Sequence, residues 1–182
     1  ILLCFALSHQ HLSAQVFTVD TLIYNGSPSN RVNLLILGDG YTAAQMGLFR
    51  TNALTVANYL LNTVPFNQYK RFFNVFAIEV VSNQSNIDHS GVSDDNACGT
   101  QPVVTTDNYL QSAFDGGGTG GGTHRCIYSD QINLIYTIAN TNFPQYDYVN
   151  VLSNTTYYGG CAGGVTFTST NSSSSEIFVH EF

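Results

Sequence analysis

Val32-Asn33-Leu34-Leu35-Ile36-Leu37-Gly38-Asp39-Gly40-Tyr41-Thr42 is the stretch from which the fold is read. Apart from Asn33, its first six residues are apolar, and the run stops at Gly38-Asp39-Gly40. A short unbroken apolar run that ends in glycines reads as a buried strand feeding a tight turn. Thr42 and Gln45 then form a T-x-x-Q capping box, which satisfies free amides at a helix start. The helix is expected from about Ala43 to Leu61, with Met46, Phe49, Ala53, Val56, Ala57 and Leu60 on one face. Asp39, at the strand end, is expected to stabilise its own turn or the helix N-terminus that follows.

Downstream, Pro65 and Phe66 mark a turn, and Phe72 to Val81 reads as a second strand, rich in aromatic and β-branched residues. Ser82 to Gln101 is polar and turn-rich. A short helix is expected from about Thr106 to Phe114. Gly116 to Gly122 is almost all glycine; no Lys-Ser/Thr follows it, so it is not a phosphate loop. Asp130 is placed to cap a helix from Gln131 to about Asn140. Tyr146 to Leu152 reads as a third buried strand, Tyr157 to Gly164 as a glycine-rich turn, and Val165 to Ser169 as a short strand near a sheet edge. Alternation of strand and helix is the order of an α/β layer, and no internal repeat interrupts it.

Composition narrows the function classes. The 182 residues are 43% hydrophobic and 9% charged, with a net charge of -7. Such a chain buries a sizeable core and is not a disordered segment. Nucleic-acid affinity rests on Lys and Arg contacts to phosphate, so an acidic chain with five such residues is not expected to bind it. At the start, the apolar run Ile1 to Ser8 and then Leu12-Ser13-Ala14-Gln15 read as the end of a secretory signal peptide whose basic part is missing. The run is too short for a membrane span, which needs ~20 apolar residues, and no other segment is long enough. The expectation is a secreted or extracellular protein, with residues 1–14 a signal remnant and 15–30 an N-terminal extension. Cys4 leaves with the signal. Of Cys98, Cys126 and Cys161, one pair is expected to be bridged in an oxidising compartment. Cys98 and Cys126 flank the long irregular stretch and are the favoured pair. Zinc ligation by the three fits no C-x-x-C arrangement.

The last segment carries the chemistry. Ser173 and Glu176 make a second capping box, S-x-x-E, ahead of Ile177-Phe178-Val179-His180-Glu181-Phe182. Apolar neighbours around a His-Glu pair imply a helix buried in the domain centre. His180-Glu181 are the first two positions of an H-E-x-x-H motif, whose second histidine would stand two residues beyond Phe182. Imidazoles at i and i+4 project from one helix face and reach one metal ion, and the Glu beside the first can serve as general base. A His-Glu dipeptide is nevertheless common by chance, and alone it reads as a helix histidine satisfied by a backbone carbonyl.

Landmarks earlier in the chain carry more weight. Leu35-Ile36-Leu37-Gly38-Asp39-Gly40-Tyr41-Thr42, then Pro65-Phe66 with Tyr69 and Phe73-Asn74-Val75-Phe76-Ala77, then Ser90-Gly91-Val92-Ser93, occur in order. Tyr146-Asp147-Tyr148-Val149 with Asn154, Tyr158-Gly159-Gly160-Cys161-Ala162-Gly163-Gly164 and Val179-His180-Glu181-Phe182 follow them. Taken together the chain, over about residues 31–182, resembles the IgA-peptidase family of zinc metallopeptidases, a zincin group common in secreted bacterial proteins. The resemblance implies a zincin-like three-layer α/β domain with a twisted mixed sheet, of which 31–182 would be the N-terminal part, cut after the start of the active-site helix. It implies Zn2+ as cofactor, a protein or peptide substrate, and hydrolysis by zinc-activated water. His180 would be a zinc ligand and Glu181 the general base. The chain as it stands is expected to be inactive, because catalytic zinc needs three protein ligands. The resemblance does not imply immunoglobulin A as the substrate, and the stretch from about Asp94 to Cys126 departs from the family pattern.

Other groups read more plainly. His89 and His124, in polar loops, are candidate extra ligands. Asp88, Asp94 and Asp95 could form a calcium cluster, but their spacing matches no calcium loop, and solvated carboxylates are the favoured reading. Gly159 to Gly164 could let a peptide backbone approach the edge strand beyond it as an added β-strand. The rival to an enzyme is a secreted, non-catalytic α/β binding or adhesion module.

Overall fold

The computed structural model describes residues 15–91, 102–114 and 124–182. The expected signal remnant, Asp94, Asp95, Cys98 and the glycine run 116–122 lie outside the described residues. The chain begins with strand β1 (Val19–Ile23), a 3-10 turn at Pro28–Asn30 and strand β2 (Val32–Asp39). Helices α1 (Met46–Asn62) and α2 (Phe66–Tyr69) lead to strand β3 (Phe73–Ile78). Two short strands, β4 (Ala113–Phe114) and β5 (Ile127–Tyr128), pair with each other. Helix α3 (Ile132–Asn142), strands β6 (Tyr148–Ser153), β7 (Gly160–Cys161) and β8 (Thr166–Thr168), and helix α4 (Ser174–Glu181) complete the order.

Six strands form one mixed sheet in the order β1-β3-β2-β6-β8-β7. The four central strands run parallel, and the outer two, β1 and β7, are antiparallel to their neighbours. The stretch quoted first supplies a central strand of this sheet, and its run Leu34–Leu37 is apolar because both faces are covered. Leu34 and Ile36 pack with α1 and with Phe178 of α4. Leu35 and Leu37, one residue out of phase, pack with Ile135, Ile138 and Ala139 of α3 and with Phe114 and Ile127. The α/β reading therefore holds, with helices on both sides of the sheet. Val19–Ile23, within the expected extension, supplies one of its edge strands.

Asn33, the exception in the apolar run, joins a buried amide network. Its Nδ2 donates to the carbonyls of Pro28 and Gln145, and its Oδ1 accepts from Asn74 Nδ2 at 3.0 Å. Asn74 Nδ2 also donates to the Gly26 carbonyl, while Asn74 Oδ1 accepts the Asn25 amide. Buried amides persist in a core when their donors and acceptors are paired. At the α1 entrance, Gln45 Oε1 accepts the Thr42 backbone N–H at 3.0 Å, as a capping box requires.

Two expectations are corrected. Residues Thr106 to Phe114 do not form a helix. Their amides are captured by side chains from elsewhere: Thr106 by Asp88, Asp107 by Gln84, Tyr109 by Ser82, and Leu110 and Ser112 by Asp39. Gln111 has φ 53°, which a helix interior excludes. The disulfide joins Cys126 to Cys161, with a Cα–Cα distance of 5.0 Å, and not Cys126 to Cys98. The favoured pairing rested on the two cysteines flanking the irregular stretch, whereas the fold sets the segment before β5 against β7, the edge strand that carries Cys161. The bridge also removes Cys126 and Cys161 from any zinc set.

Candidate active site

Helix α4 starts at Ser174 by a different device from the expected box. Ser173 makes no side-chain cap bond. Asn171 takes that part: its Oδ1 accepts the Ser173 amide at 3.0 Å and its carbonyl the Ser174 amide at 2.8 Å. Glu176 is left exposed. Ile177 and Phe178 are buried against the sheet and α1, as their apolar character demands. His180 is not buried with them. It lies on the exposed face of α4.

That face forms one wall of a groove of about 600 Å³, lined on this side by Glu176, Ile177, His180 and Glu181. Arg125, Cys126, Tyr158, Gly160 and Cys161 line it too. Gly160 sets the spacing between edge strand and helix. A Cβ there would stand 2.4 Å from Ile177 Cγ2 and 2.9 Å from the Phe167 carbonyl oxygen, so only glycine permits this approach. The glycine turn was legible in the sequence; within it, Gly160 packs closely against α4. The groove also gathers Arg125 and the Cys126–Cys161 bridge, which sequence reasoning did not assign to it. The expected added peptide strand meets an obstacle at β7, because the Gly160 N–H already donates to the Arg125 carbonyl at 3.0 Å.

The far end of α4 is tied down by Tyr148, whose hydroxyl donates to the Glu181 carbonyl at 3.0 Å. Burial, with a smaller contribution from the Glu181 charge, pushes the Tyr148 phenol up from its ordinary value. Phe182 packs against Tyr148, Phe66 and Phe73. His180 and Glu181 are thus mounted on a helix end anchored on several sides.

His89 and His124 do not line the groove. Both are buried, and they face each other with Nε2 atoms 3.0 Å apart. Asp88 Oδ1 accepts the Thr106 amide and hydroxyl, which is structural work rather than ion binding. Among the described residues no three His, Cys, Asp or Glu side chains converge on a metal position. His180 therefore offers one ligand where catalytic zinc takes three; the described residues fit part of such a site and do not complete it.

The anchored helix α4 presents His180 and Glu181 to a groove at the edge of a mixed α/β sheet. A comparison with protein families matches residues 21–182, and the chain belongs to the family described as IgA Peptidase M64. Peptidases of this family are metallopeptidases acting on protein or peptide substrates. No curated protein matches the chain. No helix among the described residues is long and apolar enough to cross a membrane.

Proposed function

We propose that the chain carries part of the catalytic centre of a secreted, zinc-dependent metalloendopeptidase of zincin type, with His180 as a zinc ligand and Glu181 as the general base. The observation that carries this reading is the placement of His180 and Glu181 on the groove wall of a helix whose apolar residues are buried. A second imidazole one turn further along would share that face, and the remaining ligands come from outside the described residues. Zinc, when bound, supplies Lewis-acid polarisation of the scissile carbonyl. Glu181 takes the proton from the attacking water and delivers it to the leaving amine nitrogen. Tyr148 and Gly160 hold the helix end at its fixed distance from the sheet edge. Secretion is supported by the Cys126–Cys161 bridge, since disulfides persist in oxidising compartments.

The test is Glu181→Gln in the zinc-loaded enzyme. Peptide hydrolysis should fall by roughly 10²–10⁴-fold, the usual contribution of a general base, with zinc content unchanged. Activity retained at the parent level would refute the role of Glu181 and favour a binding module. Equilibrium dialysis of the 182-residue chain alone should find no tight stoichiometric zinc. One tightly held zinc per chain would overturn the ligand assignment.

A further inference from the structure

The groove holds two side chains that the hydrolytic reading leaves unused: Glu176 on the α4 wall and Tyr158 on the sheet-edge wall. Glu176 stands one turn before His180, so the two share a face of the helix. It is exposed and makes no hydrogen bond or ion pair among the described residues, where the ion pairs are those of Arg50 with Asp20 and Glu79. A carboxylate in the first turn favours the helix dipole, but any face of the helix would serve for that. Tyr158 is 42% exposed, and its ring has no ring partner among the described residues.

Both residues are firmly mounted. Tyr158 is bracketed by Tyr157, whose ring packs on His89 and Phe114, and by Gly159, whose carbonyl accepts the Ser169 amide at 3.0 Å. A Cβ at Gly159 would stand 2.5 Å from the Phe114 ring and 2.8 Å from the Arg125 carbonyl oxygen, so the backbone beside Tyr158 is closely packed. Glu176 immediately precedes Ile177 and Phe178, both buried. A pocket whose walls are fixed in advance pays little ordering entropy when a side chain enters it.

We infer that Glu176 and Tyr158 form a subsite for a cationic side chain, so that the enzyme prefers peptides with Lys or Arg close to the scissile bond. The inference rests on the peptidase reading above. The aromatic face attracts an ammonium or guanidinium group, and the carboxylate meets its charge with a charge-assisted hydrogen bond. With Glu181 reserved for the proton, Glu176 is the groove carboxylate left to bind substrate. Arg125, the cation of the groove lining, has a partner of its own. The step from His180 back to Glu176 is about 6 Å along the helix axis. Alternate side chains of an extended peptide are about 7 Å apart, which places the cation within about two residues of the scissile bond.

The test uses peptides that carry Lys at one position near the bond, on either side, and matched peptides with Gln there. For the zinc-loaded enzyme, kcat/KM for Lys over Gln should reach about tenfold at one position, the combined size of a partly exposed ion pair and a cation–π contact. Glu176→Gln should bring that ratio to about 1, and Glu176→Lys should favour Glu over Lys at the same position. Tyr158→Phe should keep the ratio, whereas Tyr158→Ala should lower it about threefold. A parent ratio near unity at every position, or a parent-like ratio in Glu176→Gln, would overturn the proposal; a carboxylate kept only for the helix dipole gives the second result. Loss of zinc from Glu176→Gln would make Glu176 a ligand and overturn it equally. Binding of the same peptide pairs to Glu181→Gln reads the subsite apart from the chemistry. If the parent hydrolyses no peptide, the peptidase reading fails. The Lys-over-Gln affinity ratio in Glu181→Gln, and its loss on adding Glu176→Gln, then decides the subsite by itself.

Discussion

Three donors converge on the buried carboxylate of Asp39: the amides of Leu110 and Ser112, each at 3.0 Å, and the hydroxyl of Ser82 at 3.2 Å. Burial pushes its carboxyl above the usual range, and these hydrogen bonds only partly offset that. A raised folded value means that the stability tied to this proton is full below the ordinary carboxylate pKa of ~3.9 and is lost as pH rises through the folded value. Asp39→Asn cannot titrate, and it turns an amide N–H₂ toward at least one donor. It should cost about 1–3 kcal/mol at acid pH, and its deficit relative to the parent should narrow as pH rises. Urea denaturation of both proteins at several pH values checks the sign; a deficit that widens with pH refutes it. The sequence showed Asp39 at a strand end and suggested a local turn role. Its actual partners stand 43, 71 and 73 residues away. Local pattern cannot reveal such partners, nor that His89 and His124 meet.

Among the elements, those with long period signals were legible: β2, α1, β3, α3 and β6 lie close to where periodicity places them. The failure at Thr106 to Phe114 has a physical cause. Helix propensity assumes that amides bond within the segment, and here five of them are taken by side chains of Asp39, Ser82, Gln84 and Asp88. The contact between β7 and α4 yields a paired prediction. Gly160→Ala forces a methyl group against Ile177 and the Phe167 carbonyl, and overpacking of this kind costs about 1–3 kcal/mol. Gly163→Ala meets only the Val165 carbonyl at 3.5 Å and should stay within about 0.5 kcal/mol of the parent. Thermal unfolding of the two variants separates them; equal losses would show that Gly160 is not packed as described.

At the scale of the whole molecule, the Cys126–Cys161 bridge closes a loop of 35 residues that contains α3 and β6. Constraining an unfolded loop of this length stabilises the fold by roughly 3–4 kcal/mol. Cys126→Ser with Cys161→Ser should lower the unfolding free energy by about that amount, and the parent under reductant should approach the same value. No change in the double variant would mean that the bridge is dispensable. The bridge was legible only as a choice among three cysteines, because sheet order is not written in cysteine spacing. One consequence of that order concerns the birth of the protein. Asn33 on β2 receives its support from Asp147, 114 residues later. The apolar strand β2 therefore leaves the ribosome long before its parallel neighbour β6 exists. Such non-local pairing is slow, and the unpaired strand is prone to aggregate in the interval. The nascent chain is consequently a candidate client for holding factors until β6 has been made.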